Sequence, residues 1–189
     1  MCGIAGALSA LGATPSPHLV PRMMVAQLHR GPDGGRIHSD GPVVLGHRRL
    51  SIVDLSSAGN QPMTNEDGQV AAVVNGEIYN HLELRRDLEA KGHRFRSHSD
   101  SEVVVHLYEE HGARTPELLR GMFAFAVWDR RKGRLLLARD RFGEKPLVYA
   151  QTGDTFLFAS EIAALFADER VGRQVDLAAL DAYLALQYV

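Results

Sequence analysis

Two apolar stretches of strand length, residues 121–129 (GMFAFAVWD) and 134–140 (RLLLARD), flank the turn Arg130-Arg131-Lys132-Gly133. This pairing constrains the fold more than any other feature of the chain. Neighbouring runs too short for helices, joined by a polar turn ending in glycine, close as an antiparallel hairpin. A second hairpin reads through Thr152-Gly153-Asp154, which links LVYAQ to TFLFAS. Strand-length runs also cover CGIAGAL at the start of the chain and residues 43–55 and 69–75. Helical periodicity occupies residues 18–28, 81–91 (closed by Gly92), 101–111 and 160–166. The third of these follows a capping box, Ser99 with Glu102, and stops at Gly112; Asp176 is an N-cap for a last helix. Hairpins mixed with helices predict an α+β chain, with antiparallel sheets covered by helices rather than a doubly wound parallel sheet.

With 189 residues and 45% hydrophobic content, the chain is long enough for one domain with a core that needs neither disulfides nor a structural metal. Its 21 basic and 23 acidic residues leave a net charge of −2, so no electrostatic footprint points to nucleic acid or an anionic membrane. No apolar run is long enough to span a bilayer, and MCGIAGALSALGA lacks the basic start of a secretory signal. A single cysteine forms no internal disulfide, which points to a reducing, cytoplasmic setting. The closing YLALQYV is apolar and uncapped; it reads either as a docked tail or as the end of one module cut from a longer protein.

That cysteine sits at position 2. Removal of the initiator methionine before so small a residue places a thiol (ordinary pKa about 8.5) and an α-amine (about 7.7–8.0) on one residue. The amine then relays the thiol proton, giving a nucleophile and base with no histidine involved. The alternative is a small buried hydrophobe at the start of a strand. Gly3 and Gly6 favour the first reading by letting a substrate approach closely. Acyl transfer needs donors for an oxyanion, and Asn75-Gly76-Glu77, after the strand QVAAVV, offers a side-chain amide followed by a glycine N–H. Asn-Gly is equally a hairpin dipeptide, although EIYNHLELRR after it reads as a helix entry. Arg48 and Arg49 fall on opposite faces of a mostly apolar strand, so one points inward, to grip a carboxylate or to form a structural ion pair. Asp100 either serves first-turn helix electrostatics or receives an ammonium group. His93 with His98, and His106 with His111, are poorly spaced for one helix face, so no metal site is expected.

Taken together, CGIAG (2–6), HRGPD (29–33), HRRLSIVDL (47–55), QPM (61–63), VNGEIYN (74–80), SDSE (99–102), GMFAFAVWD (121–129), RDRFGEKPL (139–147) and ASE (159–161) resemble one family over nearly the whole chain. It is the glutaminase domain, a class II glutamine amidotransferase, of glutamine-hydrolysing asparagine synthetases. The resemblance implies an N-terminal nucleophile hydrolase fold, a four-layer αββα sandwich of two antiparallel sheets spanning residues 1–189. It implies that Cys2 attacks the side-chain amide of L-glutamine, with Asn75 and the Gly76 N–H holding the oxyanion. Arg49 would grip the substrate carboxylate, Asp100 and Glu77 its ammonium, and Leu50, Ser51, Ile52 and Val53 would line the pocket. HRGPD and RDRFGEKPL are assigned scaffold roles.

The family continues into an ATP-dependent synthetase domain that makes asparagine from aspartate. No SGGxDS-like, GxxxxGK[ST] or GxGxxG loop occurs here, so no cofactor is expected in this chain, and ATP with Mg belongs to the absent domain. Ammonia would pass to that synthetase domain, in cis or as a separate chain, and a homodimer is left open. Two other readings stand beside this one: a class II glutaminase feeding another acceptor, and a non-catalytic glutamine-binding module whose Cys2 is capped by a retained Met1. VNGEIYN and RLSIVDL look more like the asparagine type than the sugar-phosphate or phosphoribosyl types.

Overall fold

A computed structural model describes residues 1–188. In chain order its strands are β1 (Gly3–Ser9), β2 (Gly34–Asp40), β3 (Val43–Arg49), β4 (Met63–Thr64), β5 (Val70–Ile78), β6 (Gly121–Asp129), β7 (Arg134–Arg139), β8 (Val148–Thr152) and β9 (Thr155–Ala159). The helices are α1 (Leu19–Ala26), α2 (His81–Ala90), α3 (Val103–His111), α4 (Thr115–Leu118), α5 (Ile162–Leu165) and α6 (Leu177–Leu186). A five-stranded sheet, β2-β3-β1-β9-β8, faces a four-stranded one, β4-β5-β6-β7, and every pairing is antiparallel.

Side-chain alternation divides the interior into three apolar layers. Ala5, Ala7 and Val44 turn outward from the first sheet onto Val20, Met23 and Met24 of α1 and Leu165 of α5. Ile4, Val43 and Leu45 point the other way and meet Ala71, Val73, Ala124, Ala126 and Trp128 between the sheets. Val70, Ala72, Val74, Phe125 and Val127 leave the far side of the second sheet and pack on Leu88 of α2 and Val104, Val105 and Tyr108 of α3. The result is the four-layer αββα sandwich, α+β in class, that the family resemblance implies. Each fully buried Val, Leu or Phe in these layers contributes about 1.5–3 kcal/mol.

The two hairpins form where the turns predict them, Asp129 opposite Arg134 and Thr152 opposite Thr155. Gly92 follows the end of α2 and Gly112 caps α3, both with positive φ. The Asp176 carboxylate accepts from the N–H groups of Ala178 and Ala179 (2.9 and 3.1 Å), capping an α6 with no buried residue. Among the described residues no helix is long and apolar enough to cross a membrane.

Several expectations need correction. The run at 43–55 leaves the sheet after Arg49, and residues 50–55 form an irregular segment. The strand expected at 69–75 instead continues through Asn75-Gly76-Glu77 to Ile78, so that dipeptide makes neither a turn nor a helix entry. Gly76 permits this, because a Cβ there would lie 2.2 Å from the Met122 carbonyl and 2.7 Å from the Phe123 Cα of the paired strand. The capping box is only half made: Ser99 Oγ accepts from the Ser101 N–H (3.3 Å), while the Glu102 carboxylate accepts from the N–H groups of Arg96 and Ser97 (2.7 and 2.8 Å). A 3-10 turn, Asp100–Glu102, therefore precedes α3. Strands β2 and β4 carry no apolar signature in the sequence: β2 is a polar edge strand and β4 only two residues long.

Candidate active site

Parity decides which side chains reach the space between the sheets. Cys2 shares the alternation of Ile4, Arg49 that of Val43, Leu45 and His47, and Asn75 that of Ala71 and Val73. All three therefore project into the inter-sheet layer at one end of the sandwich, where apolar packing gives way to a cleft. Its wall includes Cys2, Arg49, Leu50, Ile52, Val53, Asn75, Gly76, Glu77 and Asp100. Ser51 stands apart, outside that wall, with its N–H donating to Asp33 Oδ2 at 2.7 Å. Ile52 and Val53 are rim residues, 71% and 49% exposed.

The first residues are tightly held. The Arg30 Nε donates to the Cys2 carbonyl (2.9 Å) and its Nη1 pairs with Glu161 (2.9 Å), which also contacts His29 (3.0 Å). The Ile4 N–H donates to Ser160 Oγ (3.0 Å), and Gln27 Nε2 donates to the Ile4 carbonyl (3.2 Å). HRGPD and ASE thus anchor the segment that carries the thiol. The Cys2 Sγ accepts from the Leu50 N–H at 3.4 Å and lies 3.6 Å from the Leu50 carbonyl. Met1 forms part of the cleft wall, its sulfur 3.2 Å from Lys145 Nζ. Gly6 serves packing rather than substrate approach, since a Cβ there would lie 2.4 Å from the Phe158 ring.

Asn75 is 1% exposed, and its Nδ2 has no hydrogen-bond partner among the described residues. Burying an amide donor unpaired costs about 1–3 kcal/mol, so its place in a cleft wall marks a site for an acceptor. The backbone beside it is equally telling. Strand β4 pairs with β5 only at Ala71 and Ala72, leaving the next stretch of that edge without a neighbouring strand. Side chains take its place: Gln61 accepts from the Val74 N–H through Oε1 (2.6 Å) and donates to the Val74 carbonyl through Nε2 (3.1 Å). Asp100 Oδ2 accepts from the Ile78 N–H (2.7 Å). N–H groups alternate along a strand, so the Gly76 N–H faces the same edge, between those two. Asn75 Nδ2 and Gly76 N thus supply two donors at the cleft.

Arg49 is 8% exposed and pairs with no carboxylate among the described residues. Its guanidinium donates to the carbonyls of Ser56 (2.7 Å) and Asp54 and to Asn60 Oδ1 (2.8 Å). Neutral acceptors orient the fork and leave its charge available for an anion; the structural ion pair is not formed. Asp100 is 5% exposed and its Oδ1 has only a 3.5 Å contact with the Ser99 hydroxyl, so the acid keeps an acceptor at the wall next to Glu77. Asp54 is held down at about 2, chiefly by hydrogen bonds from the Ser56 side chain and the His98 and Ser56 backbone.

Sequence reading did not single out His47, Gln61 or Lys145 as cleft residues, yet all three line it. His47 has the same alternation as Arg49, which is the signal that identifies it. Burial pushes its pKa down to about 3, with the Arg49 and Arg48 charges adding to the shift. The imidazole is therefore neutral at ordinary pH and too weak a base to hold a thiol proton.

A family model described as the glutamine amidotransferase domain matches residues 1–189. The asparagine synthetase [glutamine-hydrolyzing] 2 of Bacillus subtilis is 46% identical over 178 residues, covering 92% of this chain and 23% of that protein. The asparagine synthetase [glutamine-hydrolyzing] 3 of Arabidopsis thaliana is 45% identical over 174 residues, covering 89% and 29%. The chain thus spans only about a quarter of these relatives' length. Among solved structures, a glutamine phosphoribosylpyrophosphate amidotransferase from B. subtilis superposes with a TM-score of 0.74 at 24% identity, over 88% of this chain and 43% of that one, a likeness of fold.

Proposed function

The chain belongs to the glutamine amidotransferase domain family, and from that premise we propose that it hydrolyses the side-chain amide of L-glutamine through a Cys2 thioester. The observation that carries this reading is the buried, unpartnered Asn75 amide in the same cleft as the Cys2 thiol. With Met1 removed, the α-amine of Cys2 takes the thiol proton; the neutral His47 leaves it as the base of the pair. The thiolate adds to the amide carbon, and the developing oxyanion accepts from Asn75 Nδ2 and the Gly76 N–H. The α-ammonium returns the proton to the leaving nitrogen, ammonia departs, and water cleaves the γ-glutamyl thioester to glutamate. Arg49 holds the substrate α-carboxylate, and Asp100 with Glu77 its α-ammonium.

The ammonia passes to an ATP-dependent synthetase part that converts aspartate to asparagine, present in cis or as a separate chain. This is supported by relatives named glutamine-hydrolysing asparagine synthetases that extend well beyond the matched region. ATP and Mg act in that part. A cytoplasmic location accords with the single thiol at the N-terminus.

Glutamate release from glutamine by the Met-free chain tests the reading, with intact mass establishing the N-terminus. The wild type turns over and is trapped at Cys2 by a glutamine-like diazo ketone; Cys2→Ala binds glutamine without turnover. Comparable turnover in Cys2→Ala would refute the nucleophile, and a chain that retains Met1 and only binds glutamine would favour the non-catalytic module.

A further inference from the structure

Outside the cleft, on the far side of the second sheet, three segments bring together four donors that the mechanism does not use. Glu66 lies in the turn between β4 and β5, His93 follows α2, and His106 and Glu109 are on α3. One ligand atom from each lies within 4.8 Å of all the others. The spacing of the histidines hides this cluster, because no helix face holds both imidazoles. We propose that Glu66, His93, His106 and Glu109 form a structural site for a divalent transition metal of the zinc class.

The decisive observation is the His106 ring. It is 1% exposed, and neither Nδ1 nor Nε2 has a hydrogen-bond partner; the Glu109 Oε2 beside it is likewise buried and unpartnered. His106 Nδ1 is 3.5 Å from Glu66 Oε2 and 3.7 Å from Glu109 Oε2, while His93 Nδ1 is 3.4 Å from Glu66 Oε1 and 3.7 Å from Glu109 Oε2. These separations are too long for good hydrogen bonds. They are a little above the edge of about 3.3–3.4 Å that a tetrahedron has when its metal–ligand bonds are about 2.0–2.1 Å, and because the two Glu66 distances run to different oxygens, an ion would draw the donors inward around one of them.

The surrounding groups suit the same role. His93 Nε2 faces Glu110 Oε1 at 3.3 Å and His106 Nε2 faces Glu102 Oε1 at 3.8 Å, so an outer carboxylate stands behind each imidazole to receive the Nε2–H once Nδ1 binds a metal. Glu109 Oε1 accepts from Asn65 Nδ2 (2.7 Å) and Glu66 Oε1 from the Arg94 N–H (2.7 Å), which orients both carboxylates. Two imidazoles and two carboxylates balance a dication and match the nitrogen–oxygen preference of zinc, whereas magnesium and calcium seek six or more oxygens. The metal would pin the β4–β5 turn and the segment after α2 to α3.

Titration of the chelator-treated full-length chain with cobalt(II) tests this. One equivalent gives the intense visible bands of a tetrahedral ion, and zinc displaces it. Zinc at 100 times its dissociation constant raises Tm by about 5–10 °C. His93→Gln lowers cobalt affinity by at least the roughly 10–100-fold that loss of an outer-shell partner costs, and Glu109→Gln weakens it as well. Cys2→Ala leaves binding unchanged, which separates this site from the thiol. Absence of stoichiometric cobalt binding, binding undiminished in both cluster variants, or its loss in Cys2→Ala would each overturn the proposal. His93 and Glu109 are partly exposed, so these variants retain the fold even where His106→Gln does not.

Discussion

Burying His47 as a neutral imidazole couples the stability of the whole domain to pH. In the unfolded chain this imidazole titrates near 6.5, whereas burial lowers it to about 3 in the fold. Between those values the unfolded state binds a proton that the folded state refuses, so stability falls as pH falls. At about 1.4 kcal/mol per pH unit the full interval is worth about 5 kcal/mol, and the step from pH 7 to pH 5 about 2 kcal/mol. Asp54 and Asp168, held near 2 by their hydrogen bonds, lose their stabilising contribution only as pH drops from about 4 toward 2, below the step from pH 7 to pH 5. Urea unfolding at pH 7 and pH 5 reads the effect as a drop in midpoint of about 1 M at an ordinary m-value of about 2 kcal/mol/M. His47→Gln lowers stability at both pH values but removes most of the drop between them, because glutamine does not titrate. An equal drop in wild type and variant would refute the assignment, and with it the argument that His47 is too weak a base to serve Cys2.

Three further outcomes follow from the site. Asn75→Ala lowers kcat for glutamine hydrolysis by about 10²–10³, the usual loss for one oxyanion donor; a change confined to KM in steady-state assays would move the hole elsewhere. Arg49→Ala raises KM for glutamine far more than it lowers kcat, and Arg49→Lys recovers little, because the fork is oriented by Ser56, Asp54 and Asn60 acceptors. Unchanged glutamine affinity would return Arg49 to a purely structural role. Gln61→Ala strips the N–H and carbonyl of Val74 of their partners and costs about 2–4 kcal/mol in urea unfolding; a loss under about 0.5 kcal/mol would mean that water replaces the side chain.

What could be read in the sequence was whatever local chemistry dictates. Strand β6 matches its expected residues 121–129, and the two hairpins, Gly92, Gly112 and the Asp176 cap act as their residue types require. The misreadings lie where tertiary context overrides local preference. Asn75-Gly76 is a hairpin signal in isolation, but it stays in a strand because β6 lies alongside and glycine admits it. Residues 50–55 are apolar enough for a strand, yet they turn away after Arg49 and give Leu50, Ile52 and Val53 to the cleft. The polar GGRIHSD of β2 carries no apolar pattern because it is an edge strand paired only with β3. Lys145, in the RDRFGEKPL stretch that reads as scaffold, is 6% exposed and reaches the cleft from a loop whose path no periodicity encodes. Residue chemistry offers Cys2, Asn75 and Arg49 as candidates beside plainer alternatives and the family resemblance favours the functional ones, while their shared orientation follows from strand alternation.

That orientation makes the site intolerant of changes in length. Inserting or deleting a single residue between Cys2 and Ile4, or ahead of Arg49 in β3 or Asn75 in β5, would put the thiol, guanidinium or amide on the opposite face, in a helical layer packed with methyl groups. Homologous chains can therefore exchange residues freely on the outer surfaces and lengthen the loop at 130–133. The count from Cys2 to Ile4, from Val43 to Arg49 and from Val70 to Asn75 should nevertheless stay constant wherever the chemistry is kept.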